Sequence, residues 1–186
     1  MTASTHQLTG LLFGLAAISL FQLFPPSFGN LTEAGVFFVL VLFGSLLPDM
    51  DTPKSRLGAK VPLISYPLFW LFGHRTWSHS LLFVIITAVT GFLVGLVLHF
   101  PYYISLGISI GVLSHVIGDY FFDGGVPLFH PLSKRRYKFL ITAKTRRPNS
   151  IGFSENIVVG ILIVLNSWFL MRWLDVETSL FVLING

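Results

Sequence analysis

Five stretches of this chain are apolar for about the length of a bilayer crossing, at about 8–24, 31–47, 80–100, 102–122 and 156–174. A helix rises ~1.5 Å per residue, so ~20 mostly apolar residues cross a hydrocarbon layer ~30 Å thick. Hydrophobic residues make up 53% of the 186 positions and charged residues 11%, against about 25% charged in soluble domains. A water-soluble fold could not cover so much apolar surface. The expected fold is all-α: a polytopic membrane helix bundle with about five transmembrane helices, built as a single domain over residues 1–186.

The breaks between the stretches are explicit. Pro25-Pro26 and Gly29-Asn30 separate the first pair, and Phe100-Pro101 separates the second, with Tyr102 and Tyr103 as interfacial anchors. Residues 56–73 are apolar but interrupted by Pro62 and Pro67, with Trp70 near the end. That pattern suits an interfacial or re-entrant segment, not a further span. Met1 to Thr9 carries no Lys or Arg, so it does not read as a cleaved signal peptide and the first segment is expected to remain as a helix. The tail Asp175 to Gly186 is too short to cross again. Cysteine is absent, which excludes disulfides and thiolate metal ligands.

Charge sets the expected orientation. The connection 48–79 holds Lys54, Arg56, Lys60 and Arg75. The connection 123–155 holds Lys134, Arg135, Arg136, Lys138, Lys144, Arg146 and Arg147. The other connections hold no Lys or Arg, so the positive-inside rule puts the two basic ones, and the N-terminus, in the cytoplasm. Arg172 alone lies against the trend. The net charge of +4 is then explained by membrane lipids, whose anionic headgroups attract such loops, and no nucleic acid is expected as a partner.

Ionisable side chains gather at the same ends of the spans. His6 precedes the first span. Asp49 and Asp51 follow the second in LPDMDTPKS, and His74 and His79 precede the third in HRTWSHS. His115, Asp119 and Asp123 close the fourth in SHVIGDYFFDGG, and Glu155 opens the fifth. His99 falls at the opposite end and is excluded. His115 and Asp119 are four apart and share a helix face. His74 and His79 are five apart, about 140° around a regular helix, so the chain bends there or one of them is not a ligand. Each piece has a plainer reading. Asp49 and Asp51 suit a turn after Pro48, His115 with Asp119 suits a polar helix pair, and Glu155 after Ser154 suits a helix N-terminus. His130 reads as a loop residue. Their shared placement favours a metal site. Imidazole and carboxylate together suit Zn2+, Mn2+ or Fe2+, and five or more donors exceed one tetrahedral ion, so two ions are expected. Asp51 or Glu155 is a candidate general base and Arg75 a candidate partner for a substrate phosphate. Transport of a metal ion and a non-catalytic, metal-stabilised scaffold are the competing readings.

These residues resemble a known family, the LexA-regulated, membrane-bound metal-dependent hydrolases of bacterial inner membranes. The likeness rests on His6, LLPDMDTPKS at 46–55, FGHRTWSHSLL at 72–82, LSHVIGDYFFDGGVPL at 113–128 and Glu155. It implies a metal-dependent hydrolase. A metal-bound hydroxide at such a site would attack a phosphoester or other ester, and lipid headgroups are the most accessible substrates for a site near the interface. The order His, Asp, His, His-x-x-x-Asp also resembles zinc-dependent phospholipase C and P1-type nucleases. That likeness implies one ion held by Asp49 or Asp51, one of His74 and His79, His115 and Asp119. A second ion would be held by His6, with Asp119 as the bridge. Ile151 stands where those enzymes carry a His ahead of the Glu, so a third ion is not implied.

Overall fold

The computed structural model describes residues 1–21, 23, 28–99, 101–122, 124–139 and 153–174. Asp123, Pro25-Pro26, Lys144, Arg146, Arg147, Ile151 and the tail 175–186 lie outside the described residues. Six α-helices follow in chain order: α1 (Ala3–Phe21), α2 (Phe28–Gly44), α3 (Pro62–Phe72), α4 (Leu81–Leu98), α5 (Tyr102–Tyr120) and α6 (Phe153–Trp173). Short 3-10 turns lie at Pro48–Asp51 and Trp77–His79. Among the described residues there is no β-strand, only an isolated antiparallel bridge between Val126 and Tyr137.

Among the described residues four helical stretches, Ala3–Phe21, Leu31–Asp51, Leu81–Leu98 and Ser154–Trp173, are each long and apolar enough to cross a membrane. The expected fifth, α5, has 19 residues but a shorter apolar run, Leu106–Tyr120. It packs against α1, α2 and α4, while α6 lies on α1. The central helix thus carries two side chains of the cluster, His115 and Asp119. The bundle is apolar outside and partly polar inside. Leu96, Val97, Val164 and Trp168 are exposed, whereas His79, Ser114, His115 and Asp119 are fully buried. That distribution suits lipid as the surrounding solvent. A small apolar core of Ile18, Ala34, Phe37 and Val41 ties α1 to α2, with Leu106 and Ile110 of α5 packed on it.

The segment 56–73 is not a span. Its helix α3 has 11 residues, roughly 16 Å at 1.5 Å per residue. Leu63, Trp70 and Leu71 on it are strongly exposed, as expected for a piece lying in the interface.

The first helix begins earlier than the hydropathy suggests. It starts at Ala3, not near residue 8, so His6 lies within the helix. The polar start is stabilised from the far end of the chain. Glu155, in the first turn of α6, accepts hydrogen bonds from the Thr2 backbone N–H (2.7 Å) and the Thr5 hydroxyl (2.8 Å). Deeper in, the Asn166 side-chain amide donates to the Leu8 carbonyl at 3.1 Å. In hydrocarbon such polar contacts hold helices together where apolar burial cannot.

Candidate metal centre

A close helix crossing sets the floor of the site. A Cβ on Gly111 would lie 2.2 Å from the Val41 carbonyl oxygen and 2.7 Å from the Ser45 nitrogen. Only glycine lets α5 approach the end of α2 so tightly. One turn on from Gly111, His115 places Nδ1 2.7 Å from the Ser45 carbonyl oxygen. A carbonyl can only accept, so Nδ1 carries the proton and Nε2 presents a lone pair. The chain leaving α2 then turns at Pro48–Asp51 and brings Asp49 Oδ1 to 3.8 Å from that Nε2.

The bend before α4 answers the question posed by His74 and His79. Gly73 has φ +74° and Arg75 φ +57°, and a 3-10 turn follows at Trp77–His79. The segment is not a regular helix, and both rings reach the same place, with centroids 5.5 Å apart. Ser80 closes the bend by capping α4, its hydroxyl accepting from the Phe83 N–H. His79 Nε2 lies 3.7 Å from Asp49 Oδ1, 3.8 Å from Asp119 Oδ2 and 3.2 Å from His115 Nε2. His6 comes in from α1. Its ring stacks on that of His115 at 3.7 Å, and its Nε2 is 3.4 Å from Asp119 Oδ1.

Three overlapping groups can therefore hold an ion: His6–Asp49–His115, Asp49–His74–His79 and His79–His115–Asp119, each with donor atoms within 4.8 Å of one another. Asp49 belongs to two of them. The two oxygens of Asp119 face different histidines, Oδ1 towards His6 and Oδ2 towards His79 and His115. Both carboxylates are thus placed to bridge. Asp49 is half-buried and His74 exposed, so the centre opens to solvent on their side.

Three of the sequence candidates stand outside these groups. Asp51 is buried, with both oxygens committed. Oδ1 pairs with His74 Nδ1 at 2.7 Å, and Oδ2 accepts from the Arg75 backbone N–H at 3.1 Å and from the Ser78 hydroxyl. It holds the ring of His74, a candidate ligand, and is itself outside the three groups, an arrangement usual for a carboxylate behind a metal-binding imidazole. Glu155 is fully buried at the α1–α6 contact and is likewise outside them. Arg75 places Nη2 2.7 Å from Asp119 Oδ2. Its charge faces the carboxylate as well as the outside.

Ser78, which bonds Asp51 and lies 2.9 Å from His79 Nδ1, was missed in the sequence. A hydroxyl next to a candidate ligand was the available signal. His99 caps the far end of α4, as its exclusion required.

Without an ion the cluster holds a proton. Burial lowers the pKa of His79, but the Asp49 and Asp51 carboxylates and the charge of Asp119 outweigh it and push it up to about 9. With Nε2 of His115 fixed as an acceptor, the protonated His79 Nε2 donates to it.

Apolar helices around a buried, solvent-reached His/Asp centre define an integral membrane protein with a candidate metal site. The chain belongs to the YdjM inner membrane protein family, whose profile matches residues 1–182. It is similar to the inner membrane protein YdjM of Escherichia coli (strain K12), with 41% identity over 101 residues, 53% of this chain and 52% of that one. The match therefore spans about half the length of that relative. It is also similar to the uncharacterized protein YvsG of Bacillus subtilis (strain 168), with 33% identity over 126 residues, 68% of this chain and 72% of that one. No solved structure matches it. Family and helices together make it a multi-pass inner membrane protein.

Proposed function

We propose that this protein is a membrane-embedded, metal-dependent hydrolase with a two-ion centre that cleaves a phosphoester or other ester. The observation that carries the proposal is the convergence of four histidines and two aspartates, from four separate parts of the chain, into three overlapping ligand groups. Charged groups this close to hydrocarbon are costly unless they have a use. The donor set fits Zn2+, Mn2+ or Fe2+. Such ions supply a deprotonated water at neutral pH and hold the oxygens of a transferring group.

The chain's own residues prepare that chemistry. Ser45 fixes the tautomer of His115, and Asp51 orients His74. Arg75 is placed to neutralise an oxyanion once its contact with Asp119 loosens. Membrane lipids are the accessible substrates. An apolar groove of about 650 Å³ is lined by Met50, Ile64, Phe83, Thr87 and Val94 and also by Asp51 and Ser78, which suits an acyl chain held beside the centre. The positive-inside pattern supports a cytoplasmic site and N-terminus. Transport finds less support: Asn166, deep in α6, is engaged with the Leu8 and Leu162 carbonyls.

Metal analysis of protein purified in metal-replete buffer, with hydrolysis of a panel of phosphomonoesters, phosphodiesters and phospholipids, tests the proposal. Bound transition metal and turnover lost in His115→Ala support it. Absence of bound metal sinks it, and zinc or manganese flux into liposomes without hydrolysis would favour transport.

A further inference from the structure

A second pocket abuts the centre through one shared wall, Arg75. It has a volume of about 280 Å³ and is lined by Arg75, His130, Lys134 and Arg136 together with Phe72, Thr76 and Pro127. Among the described residues no carboxylate lines it. Lys134 and Arg136 of the basic loop, read from sequence as retention charge alone, here line one concavity.

The loop is held in place from both ends. The Val126 N–H donates to the Tyr137 carbonyl at 2.9 Å and the Tyr137 N–H to the Val126 carbonyl at 2.8 Å. Leu128 accepts from the Leu81 N–H at 3.0 Å, and the Phe139 N–H donates to the Tyr120 carbonyl at 3.0 Å. Residues 127–136 are thereby pinned over the start of α4 and the end of α5. Arg75 lies against the backbone of Gly124, where a Cβ would collide with Nη1. Arg136 Nη1 approaches the Gly124 carbonyl at 3.5 Å. Two buried polar atoms at this pocket, Arg75 Nε and His130 Nδ1, have no hydrogen-bond partner within the protein.

We infer that Arg75, His130, Lys134 and Arg136 form a binding pocket for a phosphate-type oxyanion beside the His/Asp centre. Cationic side chains at Arg75, Lys134 and Arg136, beside the buried and unpartnered Arg75 Nε and His130 Nδ1, are what a multiply charged oxyanion needs, since guanidinium groups match its oxygens and make charge-assisted bonds. The size is near the small end of ligand pockets, about 300 Å³, so it takes a group rather than a whole lipid. Arg75 belongs to both compartments, pairing through Nη2 with Asp119 and lining the pocket. An anion bound there therefore competes with Asp119 for the same guanidinium. That the pocket serves the same substrate as the centre rests on the hydrolase reading. The pocket itself does not.

The test uses full-length, EDTA-treated protein in detergent. Inorganic phosphate, dioctanoyl phosphatidate and dioctanoyl phosphatidylcholine are titrated by calorimetry into the wild type and into a Lys134→Gln/Arg136→Gln double variant. Both substituted side chains are exposed, and a matching thermal melt verifies the fold. Phosphate and phosphatidate are expected to bind, phosphatidylcholine is not, and the double variant should weaken binding about tenfold, as for loss of charge-assisted bonds. Added NaCl should weaken it in the wild type. Tighter binding of phosphatidate identifies a lipid headgroup as the source of the anion, and equal binding identifies free phosphate. Binding unchanged in the double variant, or no preference over phosphatidylcholine, overturns the inference. With no metal present, this outcome is independent of whether the centre holds ions.

Discussion

The Nδ1–H of His115 donates a hydrogen bond to the carbonyl of Ser45, 2.7 Å away just past the end of α2, and so leaves Nε2 as a fixed lone pair. The tautomer depends on how closely α5 meets α2. Gly111→Ala would force a Cβ to within 2.2 Å of the Val41 carbonyl. Overpacking of this kind costs about 1–3 kcal/mol. The variant should melt earlier than wild type and bind metal more weakly. Unchanged melting and metal content would separate the crossing from the site.

Asp119→Asn tests the bridging carboxylate. The amide keeps the shape but not the charge that faces His6, His79 and Arg75. Metal content by mass spectrometry should fall by at least about one ion per chain, since a neutral amide oxygen binds a transition-metal dication far more weakly than a carboxylate does. A variant that keeps its full metal content but fails to fold would favour a structural role.

Asp51→Asn probes a group one step removed from the ligands. The amide cannot accept through both its groups as the carboxylate does from His74, Arg75 and Ser78. Losses of such supporting groups typically weaken metal affinity about 10–100-fold. The expected signature is reduced affinity with the centre still able to fill at high metal concentration. An affinity equal to wild type would remove Asp51 from the orienting role.

Acidity should act on metal-free and metal-loaded protein in opposite directions. The folded pKa of His79 is raised from 6.5 to about 9. The stability it contributes is complete below 6.5 and is lost as pH rises through about 9. Metal-free protein should therefore melt progressively earlier over that window. A metal must displace this proton, so affinity should rise with pH over the same range. Melting curves and metal titrations at several pH values check both signs.

Much of this was legible because hydrocarbon imposes simple rules. Spans follow from runs of apolar residues, and His115 with Asp119 follows from helical spacing. Local reading failed where a distant residue decided the outcome. Ser4, Thr5, His6 and Gln7 lower the hydropathy of the N-terminus, yet α1 begins at Ala3 because Glu155 satisfies the polar atoms there. Asp51 and Asp49 look alike in LPDMDTPKS, and only the fold shows one turned to the histidine cluster and the other to the back of His74. The equivalence of His74 and His79 depended on positive φ at Gly73 and Arg75, a bend that spacing alone left open.

The tie between Glu155 and the start of α1 has a consequence for biogenesis. Helix α1 is joined by polar contacts to α6, which is synthesised long after it. Asp49, His74, His79, His115 and Asp119 all precede α6, so two of the three groups can assemble while synthesis continues. His6 rides on α1 and meets His115 and Asp119 of α5. Synthesis of α6 then adds the Glu155 and Asn166 contacts that clamp the helix bearing His6.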